Sequence, residues 1–344
     1  MRYPEFLKDN GTIGFCAPSF GCASEPYKSA FDNALKKFKE KGHKLFLGEN
    51  CYADCGIGIS NTPEKCADEL MSVYEGSDCD AVISCGGGEL MCETIEQVDF
   101  ERIKKAKPKW YMGYSDNTNF VFLNTVICDT AGIYGPCAGA FGMEPWHESV
   151  GDAYDLLTGK KLVMKGYDKW EKDGGKTPEE PYLPYNVTEK KTLVYKGNTI
   201  GDFASFEGRL IGGCVDCLVN LTGTKYDRVG EFLERYKDDG FVWFLECCDL
   251  NAMSIRRAFW QMKNAGWFKY VKGFMIGRPR AAYDDDLMGV DRITAVTGII
   301  DELDVPVIMD CDIGHLAPMI PLICGSYAKV DAKKDDMTVE MMLK

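Results

Sequence analysis

Histidine is scarce in this sequence: His43, His147 and His315 are the only three among 344 residues. Chemistry that needs an imidazole base therefore has three candidates. Excess positive charge is missing as well. Lys and Arg total 40 against 53 Asp and Glu, a net charge of −13. This excludes the broad basic footprint that nucleic acid polymers and anionic membranes attract. An acidic protein can still hold an anionic small molecule locally. No apolar run approaches the ~20 residues that span a bilayer, and the longest, Phe120 to Cys128, is interrupted by Asn124. The start, MRYPEFLKDN, lacks the charged leader and apolar core of a secretory signal, so a cytoplasmic protein is expected. A G-x-G-x-x-G fingerprint in the first strand–helix unit and a G-x-x-x-x-G-K-[ST] loop are both absent, which argues against dinucleotide and P-loop chemistry. Neither an internal repeat nor a low-complexity tract is visible.

Cysteine, in contrast, is abundant at sixteen residues. Most lie in apolar, strand-like runs such as those around Cys85 and Cys324, and in a reducing compartment they read as buried free thiols. Cys214 and Cys217 form one CxxC. A structural zinc site wants four ligands, and no second CxxC or HxxxH pair completes it. No metal and no cofactor are expected.

With 45% hydrophobic and 27% charged residues the chain is globular in composition. It exceeds what one core needs, so two domains are expected. Residues 1–158 alternate short apolar runs with amphipathic segments. TIGFCAP is a strand, followed by helical spacing of Tyr27, Phe31, Leu35 and Phe38 with Gly42 as a stop. KLFLGE, DAVISC and KWYMGY read as further strands, Thr62-Pro63 opens a second helix, and Asn119 to Cys128 forms another. Strands alternating with helices imply a mostly parallel sheet covered on both faces. Residues 159–205 are charged, proline-bearing and aperiodic, and read as a linker or insertion loop. Exposed Trp170, Tyr182 and Tyr185 could make that loop a lid over a ligand, or could simply anchor it to the body. Residues 206–344 form a second α/β domain, with strands at FVWFLE, VKGFMIG, VPVIMD, LICGSYAKVDA and MTVEMMLK, and helices through Ile255, Phe259 and Met262 and from Asp291 to Leu303.

Four segments can carry chemistry. In Gly113-Tyr114-Ser115-Asp116-Asn117 an apolar strand runs straight into a serine and a helix runs out. Such a turn presents the hydroxyl above the sheet edge, near backbone N–H groups that point at a developing oxyanion. Asn117 replaces the last glycine of G-x-S-x-G, and on this segment alone a helix cap by Ser115 or Asp116 is the commoner use. Gly86-Gly87-Gly88-Glu89 ends another strand as a bare backbone bend, usable as an oxyanion hole or as a plain turn; a hole donor is worth about 3 kcal/mol. His315 follows a buried strand in IMDCDIGHLAP, whereas His43 reads as a surface residue and His147 as a helix start. Glu246 ends the apolar run FVWFLE, where a carboxylate is costly without a partner. That partner is Arg256, Arg257 or a histidine.

Taken in order, these segments resemble the serine peptidase family of the LD-carboxypeptidases and microcin C immunity proteins. The matching elements are APS (Ala17 to Ser19), SCGGGE, GYSDNT (Gly113 to Thr118), IYGP (Ile133 to Pro136), EGRLIGG (Glu207 to Gly213), FLE (Phe244 to Glu246) and DIGH (Asp312 to His315). The resemblance implies a flavodoxin-like N-terminal domain carrying the serine, a C-terminal α/β domain carrying the other two groups, and an active site between them. Ser115 is then the nucleophile, His315 the base and Glu246 the orienting carboxylate. The oxyanion donors are the backbone N–H groups of Asp116 and of Gly87 or Gly88. Homodimers without metal are the family habit. The implied substrate is a small peptide-like molecule, either a cell-wall tetrapeptide or an aminoacyl-nucleotide toxin, and Trp170 or the loop tyrosines would stack on the latter. Asn117 stands where a β-branched aliphatic residue is expected, a departure that the chemistry does not involve. The competing expectation is a two-domain small-molecule binder without turnover.

Overall fold

The computed structural model describes residues 1–344. The chain divides into two compact units, each assembled from separated stretches. The first comprises Met1–Lys161, Asp173–Asn186 and Pro321–Cys324; the second comprises Leu162–Lys172, Val187–Ile320 and Gly325–Lys344.

Unit 1 is built on five parallel strands: β1 (Thr12–Cys16), β2 (Lys44–Leu47), β3 (Ala81–Ser84), β4 (Trp110–Gly113) and β5 (Gly132–Tyr134). A sixth strand, Leu322–Cys324 (β16 in chain order), adds antiparallel to β5. The spatial order β2-β1-β3-β4-β5-β16 is that of a flavodoxin-like doubly wound sheet with one extra edge strand. Every residue of β3, β4 and β5 is buried, as strands covered on both faces must be. The covering helices are α1 (Tyr27–Glu40), α2 (Pro63–Glu75), α3 (Met91–Ile95), α4 (Phe100–Lys105), α5 (Thr118–Val126) and α6 (Glu148–Leu157).

Local chemistry explains where several of them start. The Thr62 hydroxyl accepts the Lys65 N–H and Pro63 occupies the first turn of α2. The Asp99 carboxylate accepts the N–H groups of Glu101 and Arg102 to open α4. Helix α1 lays Ala30, Phe31, Ala34, Leu35 and Phe38 on the sheet at helical spacing. Phe38 meets Phe15, Phe141 and Tyr154 in one aromatic cluster, each such ring contributing roughly 1.5–3 kcal/mol by burial.

Unit 2 holds an eight-stranded mixed sheet. Its members are β6 (Val163–Lys165), β9 (Val194–Gly197), β10 (Phe203–Cys214), β11 (Phe241–Glu246), β12 (Val271–Gly277), β15 (Pro306–Cys311), β17 (Tyr327–Lys333) and β18 (Asp336–Met342). Strands β10, β11, β12 and β15 run parallel at the centre, and the others add antiparallel at both flanks. Strand β10 shows both regimes. Its first half alternates exposed and buried residues where it pairs with β17, and its second half is buried throughout beside β11. Two short ribbons, β7 (Lys169–Trp170) with β8 (Glu189–Lys190) and β13 (Asp286–Leu287) with β14 (Val290–Asp291), stand apart. The helices are α7 (Val215–Leu221), α8 (Val229–Arg235), α9 (Ala252–Asn264) and α10 (Arg292–Ile300), with α9 and α10 opened by the side chains of Asn251 and Asp291.

The stretch 159–205, expected as one linker or insertion loop, is divided instead. Its flanks supply β6 to β9 and the first residues of β10, while residues 173–186 belong to unit 1. Strand β6 pairs with Thr338–Glu340 and β9 with Pro306–Met309. Three- and four-residue edge strands whose partners are more than 100 residues away leave no local periodicity to read.

Candidate active site

Strand β4 delivers its last residue, Gly113, into a turn whose second residue, Ser115, has φ = 62°. A non-glycine side chain in the left-handed region carries strain and is kept only where surrounding structure fixes it. A short 3-10 turn over Ser115–Asn117 then leads into α5. No side-chain cap bond is made at the start of either element. The residues at those cap positions are Tyr114 and Asn117. The Asp116 carboxylate turns elsewhere: it accepts the Ser19 hydroxyl at 2.5 Å, the Met91 N–H at 2.8 Å and the Asn119 side-chain amide at 3.0 Å. One buried carboxylate thus ties together the loop after β1, the start of α3 and the serine turn.

The glycine bend after β3 lies against this turn. A Cβ placed on Gly87 would stand 3.2 Å from the Ser115 Cβ and 3.3 Å from its Oγ, so a side chain there would crowd the hydroxyl. Gly88, at φ = 147°, instead abuts the Ser19 hydroxyl, which any added Cβ would strike. Of the two glycines, Gly87 is the one beside the serine. Asn117 is fully buried and joins the two loops. Its amide donates to the Gly86 carbonyl at 2.8 Å and the Tyr114 carbonyl at 3.1 Å, and its oxygen accepts the Tyr111 hydroxyl at 2.5 Å. Asn117 thereby links the serine turn to the glycine bend. A polar residue opening an otherwise apolar helix was the available sequence signal.

In unit 2, β11 ends at Glu246, whose side chain is fully buried. Its partner is His315, with Nδ1 of the ring 2.8 Å from the carboxylate Oε2. Arg256 and Arg257 are engaged elsewhere, with the Thr294 carbonyl and the Ser254 hydroxyl. Gly314 makes the approach possible. It has φ = 100°, and a Cβ there would collide with the carboxylate of Glu246. The loop carrying His315 is pinned by Asp312, a buried carboxylate that accepts the Tyr167 N–H at 2.8 Å and pairs with the buried Arg278 guanidinium at 2.5 Å.

Burial by itself would lower the imidazole pKa. The charge and hydrogen bond of Glu246, together with the nearby Cys248 side chain, outweigh burial and push it up to about 10. With Nδ1 donating to Glu246, Nε2 is the basic nitrogen of the neutral ring.

The other histidines serve structure. His43, expected at the surface, is only 4% exposed; its ring bonds the Tyr154 hydroxyl at 2.7 Å and the Gly11 carbonyl at 3.1 Å. His147 caps α6 by accepting the Ser149 N–H. The expected stacking role of Trp170 also needs correction. The ring is 3% exposed, packed 4.8 Å from Tyr283, with the Arg278 guanidinium 4.9 Å from its centre. A ring enclosed in this way belongs to the core of unit 2. Tyr182 is exposed, and Tyr185 is half-buried with its ring 5.5 Å from that of His147. All sixteen cysteines are free thiols, and no group of three or more His, Cys, Asp or Glu side chains is arranged to hold a metal. No helix is long and apolar enough to cross a membrane.

Comparison with known proteins agrees with this architecture. The chain is 25% identical over 340 residues to the microcin C7 self-immunity protein MccF of Escherichia coli, covering 95% of this chain and 92% of that one. Among solved structures, an MccF-like protein from Bacillus anthracis superposes with a TM-score of 0.80 at 19% identity, over 99% of this chain and 100% of that one. MccF in complex with glutamyl sulfamoyl guanosine gives a TM-score of 0.79 at 21% identity, over 98% of both chains. The LD-carboxypeptidase N-terminal domain family matches residues 13–135 and the LD-carboxypeptidase C-terminal domain family matches residues 207–330. The chain belongs to the LD-carboxypeptidase family of peptidases.

Proposed function

We propose that the protein hydrolyses an amide bond in a small peptide-like substrate through an acyl-enzyme on Ser115. The observation that carries this reading is the strained backbone of Ser115, held at positive φ on a strand-to-helix turn against a glycine bend. In the proposed reaction the neutral ring of His315, the minor form below pH 10, takes the Ser115 proton on Nε2 as Oγ attacks the carbonyl carbon. The oxyanion is held by the backbone N–H groups of Gly87 and Asp116. His315 then passes its proton to the departing amine, leaving an ester on Ser115. Water, deprotonated by the same imidazole, attacks that ester and frees the acid. Glu246 fixes the ring orientation and stabilises the imidazolium through the 2.8 Å bond.

Two substrate classes fit: a cell-wall tetrapeptide with a terminal D-residue, and an aminoacyl group joined to a nucleotide-like carrier. The second draws support from MccF, which has been captured with glutamyl sulfamoyl guanosine and aspartyl sulfamoyl adenosine. Tyr182 and Tyr185 are the aromatic residues we assign to contact such a carrier; Trp170 is not among them. The test is to incubate purified protein with an L,D-tetrapeptide and with an aminoacyl sulfamoyl adenosine and follow both by chromatography. Turnover of one, abolished by Ser115→Ala, supports the proposal. Turnover of neither favours a binder without catalysis.

A further inference from the structure

Residues 173–186 fold onto unit 1 and carry one cation inward. The Lys176 amine donates to the Gly139 carbonyl at 2.6 Å and has no carboxylate within ion-pair distance. Burial pushes its pKa down to about 8. An ammonium has three donors, and here one protein carbonyl takes up one of them. Lys109, a buried lysine that also lacks a carboxylate, has its amine taken up by the Val73 and Gly76 carbonyls and the Cys79 sulfur, whereas Lys176 has one carbonyl. A partly desolvated ammonium with donors left over is a favourable place for an anion.

A Cβ built on Gly139 would meet no atom within 4 Å, so the Cα of the residue that holds the amine faces open space. Gly139 follows Cys137, whose sulfur is 3.6 Å from the Asn117 amide that joins the serine turn to the glycine bend. On the other side, Lys176 feels the Cys22 thiol, which contacts the Cys85 carbonyl just before that bend. The amine therefore stands over the carboxyl ends of β3 and β5, on the same rim of the sheet as Ser115. Open doubly wound sheets bind ligands along this rim.

We infer that Lys176 is a specificity-determining residue that receives a carboxylate of the substrate beside the Ser115 turn. The role rests on the amide-hydrolysis reading, which it deepens by specifying an acidic substrate. Lys176 makes no bond to the reacting atoms and acts on binding. Two carboxylates could fill the place, the terminal carboxylate of a peptide or the side-chain carboxylate of an acidic aminoacyl group.

The experiment compares wild type, Lys176→Met and Lys176→Arg on four substrates. These are an L,D-tetrapeptide and its C-terminal amide, and aspartyl and asparaginyl sulfamoyl adenosine. The labelling rate of Ser115 by a fluorophosphonate is measured alongside. Loss of one charge-assisted contact predicts a roughly 10–100-fold rise in KM for the carboxylate-bearing member of one pair in Lys176→Met. Its neutral partner, kcat and the labelling rate should be unchanged, and Lys176→Arg should restore part of the loss. Whichever pair responds identifies the carboxylate. A wild type that labels at Ser115 and turns substrate over, with the same acid-to-neutral preference in Lys176→Met, overturns the role of Lys176 and leaves the hydrolase intact. A wild type that neither labels nor turns over overturns the hydrolase reading and this role with it.

Discussion

Replacing Glu246 with Gln keeps the shape of a fully buried side chain and removes its charge. The amide oxygen can still accept the Nδ1 proton, so any effect reports the charge more than the fit. In the wild type, burial pulls the imidazole pKa down, and the carboxylate is the chief reason it stands at about 10. Relative to an ordinary histidine near 6.5, that is on the order of 5 kcal/mol favouring the imidazolium, at about 1.4 kcal/mol per pH unit. The folded pKa lies above the unfolded one, so the pair stabilises the fold fully below pH 6.5 and loses that contribution as pH rises through 10. The melting temperature of Glu246→Gln should therefore lie furthest below wild type near pH 6 and approach it near pH 10. In 15N spectra of the three imidazoles, His315 of the variant should titrate below 6.5, because burial is then less opposed. The ascending limb of the kcat/KM profile should move to lower pH in step, while kcat falls by about 10³–10⁴-fold as the imidazolium loses its partner. A wild-type His315 titrating at or below 6.5, or the same pKa in both proteins, would refute this reasoning.

Two further substitutions test the geometry. Gly87→Ala places a methyl group 3.3 Å from the Ser115 oxygen and should reduce kcat by at least 10²-fold, the loss seen when one oxyanion donor is displaced, with little change in melting temperature. Trp170→Ala removes a core ring, so it should lower stability by about 3–5 kcal/mol in urea titrations, and at a temperature where it remains folded it should leave KM near wild type. A large KM change in that variant without a stability change would restore a ligand-facing role for the ring.

Much of unit 1 can be read from the sequence because its elements are local. Thr62-Pro63 starts a helix through its own side chain, and AVIS and WYMG are apolar at every position because both faces are covered. Glu246 is legible for a related reason: a carboxylate closing an apolar strand needs a partner. Identifying His315 as that partner takes the fold, since Gly314 must let the loop pass against the carboxylate. What stays hidden depends on distant contacts. His43 looks exposed between lysines, yet Tyr154 covers it. Trp170 sits in a charged, proline-rich stretch, yet its neighbours in space are Tyr283 and Arg278. Asn117 resembles a neutral substitution until its amide is seen holding Gly86. Lys176 is one lysine among many by composition, and only its place on the Gly139 carbonyl sets it apart.

In the proposed reaction the hydroxyl of residue 115 is activated by the imidazole of residue 315. Labelling with a fluorophosphonate, followed by mass mapping of the modified peptide, addresses this directly. Wild type should carry one adduct, on Ser115; Ser115→Ala should carry none; and His315→Gln should label about 10³-fold more slowly or worse. An adduct on another serine, equal labelling of Ser115→Ala, or an unchanged rate in His315→Gln would contradict it.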